Sequence, residues 1–243
     1  MWDWLLAPMD ATSAHDVGWH LSWHARVMVL AWGVLVPLGI FIARYFKITP
    51  GQDWPRTLDS HFWWNTHRIC QYTATLLMVV GLGLILSAPP LTIKAGQHAF
   101  LGWAALALAV VQVCGGILRG TKGGPTAPAP DGSLHGDHYD MTPRRLAFEY
   151  VHKAAGYVAL ALSVAAVLTG LWQANAPNWM WLCLSIWWSG LLAASVILQN
   201  RGMAVDTYQA IWGPDPALPG NKRKPIGFGV SRRIGYREKD TAN

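Results

Sequence analysis

The protein has 243 residues, of which 52% are hydrophobic and only 13% are charged. A soluble domain of this length needs a larger charged surface, so the composition indicates an integral membrane protein. The formal net charge is +6, but the basic residues lie between apolar stretches and near the C-terminus, without interleaved aromatic residues. This distribution argues against nucleic-acid binding and favours a membrane environment.

Five stretches are long and apolar enough to cross a bilayer as helices, which requires about 20 residues each. Proline and glycine separate them, and Thr142 and Pro143 have the character of a cap and first residue of the fourth helix. The sequence therefore predicts an all-α integral membrane protein with an outer segment (1–19), a transmembrane domain (20–200) and a basic cytoplasmic tail (201–243). The predicted spans are 20–46, 65–88, 97–118, 148–173 and 178–199.

The basic residues predict how the helices cross the membrane. Of the 19 Lys and Arg, 17 lie in the tail and in or beside the first-to-second and third-to-fourth connections. Arg26 and Lys94 lie on the opposite side, where the acidic residues Asp3, Asp10 and Asp16 are also found. Because cytoplasmic connections are enriched in Lys and Arg, we expect the N-terminus outside and the C-terminus in the cytoplasm.

Each of the first four spans carries one candidate ligand histidine in its first part, namely His24, His67, His98 and His152. Ionisable groups inside a membrane are costly and therefore suggest a function. Successive spans alternate in direction, so His24 and His98 lie near the outer face and His67 and His152 near the inner face. In an up-and-down four-helix bundle these are diagonal partners, which can hold a planar haem between them in the core. Two imidazoles fill both axial positions of the iron, an arrangement that favours electron transfer.

Other interpretations of the histidines stay open. A single histidine near a helix end is more often an interface residue, but four at two matched depths favour ligation. His20 lies one turn before His24 on the same helix face and is the alternative ligand; we favour His24 because it lies deeper. His61 is ambiguous. His15, His135 and His138 lie in polar connections, where we expect solvated imidazoles.

Small and polar residues near the histidines extend the haem hypothesis. Gly102 and Gly156 each lie four positions after a proposed ligand and would leave room for a flat ring, although ordinary helix packing explains them equally well. Haem propionates require cations or hydrogen-bond donors near the headgroups, and snorkelling side chains are the competing interpretation. The candidates are Arg68 and Lys153 on the inner side and Lys94 and Gln97 on the outer side.

The spans resemble the cytochrome b561 family, in particular the eukaryotic-type module found fused to DOMON domains. The first span, HARVMVLAWGVLVPLGIFIARYFK, has the His, Trp, Pro-x-Gly and Ala-Arg-Tyr elements of the family. The motifs HRICQ, HAFLG and VHKAAGY follow in order and contain His67, His98 and His152. The resemblance covers residues 20 to 200. It differs from the family in having five spans instead of the commoner six, no DOMON domain before the first helix and no convincing ascorbate-binding motif.

The resemblance implies two haems b and transmembrane electron transfer, in the family often from cytoplasmic ascorbate to an outer acceptor. We therefore expect an electron carrier in a bacterial inner membrane, in contact with lipid and with a redox partner protein or a small-molecule donor or acceptor. One alternative is an oxidoreductase that acts on quinol, ascorbate or ferric chelates through the same haems. Another is a non-redox subunit or assembly scaffold of a larger membrane complex.

Two polar segments carry weaker expectations. The 120–142 connection is rich in Gly, Pro, Asp and His, which is typical of a solvated linker, with a docking surface for a donor as the alternative. The tail after Asn200 contains KRK and SRR, which favour an extended segment attracted to anionic lipid. Its stretch IWGPDPALPG keeps apolar anchors that point instead to binding a partner.

Overall fold

The computed structural model describes residues 1–13, 15–89 and 96–233. Within these ranges the chain is helical and contains no β-strand. Five helices of 22 to 31 residues are long and apolar enough to cross a membrane. They are α1 (Gly18–Tyr45), α2 (His61–Leu86), α3 (Gly96–Ile117), α4 (Pro143–Gln173) and α5 (Asn178–Asn200). The predicted all-α membrane fold with five long apolar helices is confirmed.

The fourth helix begins five residues before the predicted span. Pro143 is its first residue, where the missing proline N–H breaks no helical hydrogen bond. The hydroxyl of Thr142 accepts a hydrogen bond from the backbone N–H of Arg145 at 3.3 Å and so caps the helix. The added turn is polar, so apolar length alone placed the start too late.

The first helix is irregular in its middle. Residues Val29–Leu35 form a π-helical segment, and Pro37, which follows it, has no N–H to donate to the carbonyl of Gly33. The indole N–H groups of Trp187 and Trp188 on α5 donate to that carbonyl oxygen instead, at 3.0 and 2.9 Å. Two tryptophans thus satisfy the backbone of α1 where its sequence interrupts the helix.

The chain divides into two compact units, and each contains part of every long helix. The first unit comprises Met1–Phe41, His67–Gln112 and Ala155–Ser195. The second comprises Ile42–Thr66, Val113–Ala154 and Val196–Asn243.

The first unit has an apolar core with many small side chains, among them Ala31, Ala74, Ala105 and Ala159. Small residues let helices approach closely inside a membrane.

The N-terminal segment is hydrogen-bonded to the turn between α4 and α5. There the backbone N–H of Asn178 donates to the carbonyl of Ala7 at 3.0 Å, and its side-chain amide donates to the carbonyl of Trp4 at 2.9 Å.

The second unit has an aromatic core, and the C-terminal segment is part of it. A short helix, Thr207–Trp212, is buried along its whole length. Ile211, Trp212 and Ile226 pack in this core. Residues 201–233 therefore differ from the extended tail suggested by the basic residues, because their apolar anchors are buried within the chain itself. Residues 234–243 lie outside the described residues.

The 120–142 connection also has internal structure. The carboxylate of Asp137 accepts hydrogen bonds from the backbone N–H of Thr121 at 2.9 Å and from the hydroxyl of Thr142 at 2.8 Å. Residues Asp137–Asp140 form a short helix that carries the buried His138. The expected solvated linker is thus wrong for this part of the connection.

Candidate haem site

Two of the predicted ligands face each other in the first unit. The ring centroids of His24 and His98 are 6.2 Å apart, and the ring planes are nearly perpendicular, at 86°. Both side chains are half-buried. The structure thus brings together the pair that the alternation of helix direction predicts for the outer face.

Backbone carbonyls define which nitrogen of each ring carries hydrogen. The Nδ1 atom of His24 lies 2.8 Å from the carbonyl oxygen of Gly81, and that of His98 lies 2.9 Å from the carbonyl oxygen of Ala166. A carbonyl oxygen only accepts hydrogen bonds, so each Nδ1 must donate. The lone pair of each Nε2 is then available for a metal ion.

The spacing of the two rings fits an iron atom between them. Metal bonds to histidine nitrogen are about 2 Å long, so two opposed imidazoles on one metal have centroids about 6 Å apart. The observed 6.2 Å agrees with this value. Among the described residues, no three His, Cys, Asp or Glu side chains gather as metal ligands. A haem needs only two ligands from the protein, because the porphyrin supplies the other four. The arrangement of His24 and His98 fits such a group.

A glycine on a neighbouring helix makes room for the ring of His98. A Cβ atom on Gly170 would lie 2.9 Å from Cε1 and 3.0 Å from Nδ1 of His98, so any side chain there would displace the imidazole. Sequence reasoning missed Gly170, which lies near the C-terminal end of α4 and next to His98. Gly102, which was predicted to clear space, has no described atom within 4 Å of its Cβ position. A Cβ atom on Gly156 would lie 3.7 Å from Oε1 of Gln112, which is ordinary van der Waals contact with a side chain other than a proposed ligand.

His67 has the same type of support as His24 and His98. Its Nδ1 atom lies 3.0 Å from the carbonyl oxygen of Gly39 on α1, which orients the ring through backbone alone. The contact is reciprocal to that of His24, because each of the helices α1 and α2 offers a glycine carbonyl to a histidine of the other. A Cβ on Gly39 would lie 2.5 Å from the amide nitrogen of Gln71, so the helices are close together here.

His152 belongs to the second unit and has different neighbours. Its ring stacks on Phe148, with centroids 5.0 Å apart and planes inclined by 29°. The carboxylate of Glu149 pairs with Arg145 and with Lys153, each at 2.5 Å. The pairing of His67 with His152 stays a prediction from helix direction.

Comparison with known proteins gives the family. No protein-family model matches the chain, and no solved structure matches it. The chain is 30% identical over 176 residues to a cytochrome b561, DM13 and DOMON domain-containing protein of Arabidopsis thaliana, which corresponds to 72% of this chain and 17% of that protein. It is 27% identical over 166 residues to ferric-chelate reductase 1 of Homo sapiens, covering 68% of this chain and 24% of the reductase. The chain is related to the cytochrome b561 family.

A third relative agrees with this assignment. It is a cytochrome b561 and DOMON domain-containing protein of Arabidopsis thaliana, 29% identical over 150 residues, or 61% of this chain and 31% of the relative. The matched part of the present chain thus spans less than a third of the length of each of these three proteins. With five apolar helices it is an integral, multi-pass membrane protein. The three relatives come from a plant and an animal and do not support the expected bacterial inner membrane.

The four residues predicted to contact haem propionates have different surroundings in this chain. The ammonium of Lys153 is already engaged by Glu149 and by the carbonyl of Ile226, at 2.5 and 2.9 Å. Arg68 is exposed and lies over the Tyr72 ring, 5.6 Å from its centroid. Gln97 is exposed. Lys94 lies outside the described residues. The propionate assignments therefore stay predictions.

The remaining histidines divide differently from the prediction. The ring of His20 lies against Trp19, with centroids 5.0 Å apart, whereas His24 stands opposite His98. His138, predicted to be solvated, is only 4% exposed and contacts the rings of Tyr208 and Trp212. Burial, followed by the nearby positive charge of Arg145, lowers the pKa of His138 to about 3. The aromatic residues of the C-terminal segment were the one feature of the sequence that could have indicated the burial of His138.

Proposed function

We propose that this chain is a transmembrane electron-transfer cytochrome that holds two haems b, each between two histidines. The observation that carries the proposal is the His24–His98 pair, with centroids 6.2 Å apart and both Nδ1 atoms hydrogen-bonded to backbone carbonyls. This preorganisation holds both imidazoles in the tautomer and orientation that a metal requires.

The protein residues have defined roles in this proposal. His24 and His98 would ligate the outer haem through Nε2, while Gly81 and Ala166 orient them through their carbonyls. When bound, the haem would supply one-electron chemistry, and two histidine ligands would favour electron transfer over oxygen binding. The protein contributes orientation, burial and exclusion of water.

The inner haem would be held by His67 and His152. Helix direction supports this pair, because the second and fourth spans begin on the same side of the membrane. The hydrogen bond between His67 and Gly39 supports it further, since it repeats the arrangement at the outer pair. Two haems at different depths would let one electron cross the membrane in two short steps.

A second candidate function is the reduction of a ferric chelate at the end of this path. One relative is named ferric-chelate reductase 1, and it shares 27% identity over 68% of this chain. In that reaction a chelated Fe³⁺ would gain one electron and become Fe²⁺, and the haems held by the histidines would supply that electron. Quinol, ascorbate or a redox protein is the donor that the proposal leaves open.

Haem content tests the proposal. The full chain, expressed with ample iron and porphyrin precursor, should contain two haems b by the pyridine haemochrome assay and have low-spin spectra. His98→Ala should retain one haem, and His20→Ala, one turn from His24, should retain two. Colourless wild-type protein, or His98→Ala with two haems, would overturn the proposal.

Reoxidation of the reduced protein tests the second candidate function. A ferric chelate should reoxidise reduced wild-type protein rapidly if the chain acts as a ferric-chelate reductase. Reoxidation by a quinone or a protein but not by the chelate would exclude this function.

A further inference from the structure

The face of α4 around His152 combines an aromatic ring with buried charges. Phe148 stacks on the His152 ring, with centroids 5.0 Å apart. The guanidinium carbon of Arg145 lies over the same phenyl ring, 4.9 Å from its centroid. These residues follow one another at spacings of three and four, which places their side chains along one face of the helix. The phenyl ring therefore contacts both the imidazole and a cation.

The charges next to this ring do not cancel. Glu149 bridges Arg145 and Lys153, so the three side chains carry two positive charges and one negative charge. The side chains of Arg145 and Glu149 are only 9% and 6% exposed. Solvent screening is weak at such depth, and a net positive charge acts over a longer distance there than at the surface.

We propose that Phe148 is a positioning residue for the His152 imidazole, and that the group Arg145, Glu149 and Lys153 raises the reduction potential of the haem that His152 binds. The inference rests on the proposed function. Stacking restricts rotation of the imidazole about its Cβ–Cγ bond and so sets the ring plane relative to the porphyrin. Reduction removes one positive charge from the haem, so a buried net positive charge favours the reduced form.

Charge variants test the electrostatic part through redox potentials. Glu149→Gln removes the negative charge at nearly constant size and should shift the reduction equilibrium of one haem about tenfold towards the reduced form, which is 59 mV for a one-electron couple. Arg145→Gln should shift the same haem in the opposite direction. The second haem in each molecule is the internal control. Asp131→Asn removes an exposed carboxylate in the same unit and should leave both potentials unchanged.

Ring variants test the positioning part through electron paramagnetic resonance. Phe148→Leu should change the low-spin signal of one haem while haem content stays at two per chain. Phe148→Tyr keeps the aromatic ring and should restore the wild-type signal. A purely structural role would alter stability without a selective change in one signal, so an unchanged spectrum of Phe148→Leu overturns this part.

Failure of this inference is distinguishable from failure of the proposed function. Wild-type protein without two haems contradicts the proposed function. Two resolved haems whose potentials move together, or in the same direction in Glu149→Gln and Arg145→Gln, contradict the electrostatic inference alone. If Glu149→Gln does not accumulate because two cations lose their partner, a downward shift of one potential in Arg145→Gln supports the inference and an unchanged potential overturns it.

Discussion

The two units keep polar groups inside the protein by different means. In the first, the half-buried histidines His24, His67 and His98 are hydrogen-bonded to backbone carbonyls of adjacent helices. In the second, buried charges are held in pairs, such as Glu149 with Arg145 and Asp206 with Arg232. A hydrogen bond from a neutral imidazole to a carbonyl depends on the correct distance between two helices. A buried ion pair depends on both of its charges being present. We therefore expect steric changes to damage the first unit and changes of charge or pH to damage the second.

Buried basic groups make the second unit sensitive to protonation. Lys47 is 6% exposed, and its ammonium donates to the carbonyl of Val205 at 3.1 Å. Burial, with the positive charge of Lys153 as the next cause, lowers the pKa of Lys47 to about 7. His138 is held in its neutral form in the same unit. Both groups resist taking up a proton in the folded state.

The largest effect is expected at Gly170. The Gly170→Ala variant places a Cβ atom 2.9 Å from Cε1 of His98, so the imidazole or the α4 backbone has to shift, which would disturb the proposed pairing of His98 with His24. We expect loss of the haem proposed to lie between His24 and His98, measured as a fall from two haems to one per chain. A Gly170→Ala protein with two normal haems would show that spacing is not critical in the first unit.

A matched control for this variant exists on α5. Gly190 is also in the first unit, and no described atom lies within 4 Å of its Cβ position. Gly190→Ala should retain both haems and gain slightly in helix propensity, by up to about 1 kcal/mol. The two alanines together separate a steric effect at the histidine from a general effect of the substitution.

An intermediate effect is expected from His138 at acidic pH. Its pKa is about 3 in the folded protein, whereas an unfolded chain has the ordinary value of 6.5. Below about pH 6.5 the unfolded state therefore binds the proton more readily, and stability falls progressively towards pH 3. His138→Phe should remove this part of the acid sensitivity and leave stability at pH 8 little changed, because Nε2 has no hydrogen-bond partner among the described residues.

Thermal unfolding of the detergent-solubilised protein, followed by tryptophan fluorescence between pH 4 and 8, measures this effect. His135→Phe is the control, since His135 has an 82% exposed side chain in the same connection. Acid sensitivity that is equal in His138→Phe and the wild type would assign it to other groups.

The smallest effect, on the free energy of unfolding, is expected from the two tryptophans that donate hydrogen bonds to the Gly33 carbonyl of α1. Trp188→Phe removes one of two indole donors to the Gly33 carbonyl, so the other still satisfies it and the cost should stay below about 1 kcal/mol. The double change of Trp187 and Trp188 leaves that carbonyl without an indole donor and should cost more than the sum of the single changes. Strictly additive unfolding temperatures would indicate that the oxygen finds another donor.

Much of the architecture could be predicted from the sequence, because a membrane restricts what an apolar segment can do. A run of about 20 apolar residues has to satisfy its backbone internally, and a helix does so. The depth of His24 and His98 follows from their positions near the start of spans that run in the same direction. Their approach to 6.2 Å follows only from the packing.

The supporting residues could not be found in this way. Gly81, Ala166 and Gly170 act through a carbonyl or the lack of a side chain, and neither property marks a residue in a sequence. His138 was misassigned because polar neighbours in the chain suggested solvent, while aromatic residues about 70 positions later bury it. Long-range contacts of this type depend on how the chain folds back on itself.

By itself, the sequence determined five helices, one candidate ligand histidine in each of the first four and the excess of basic residues on one side, since these depend on local composition and on the thickness of a bilayer. Only the tertiary structure decided which carbonyl orients each ring, which glycine gives His98 its space and where the C-terminal segment packs. These features arise between segments distant in the chain, where a shift of a few tenths of an ångström separates a contact from a clash.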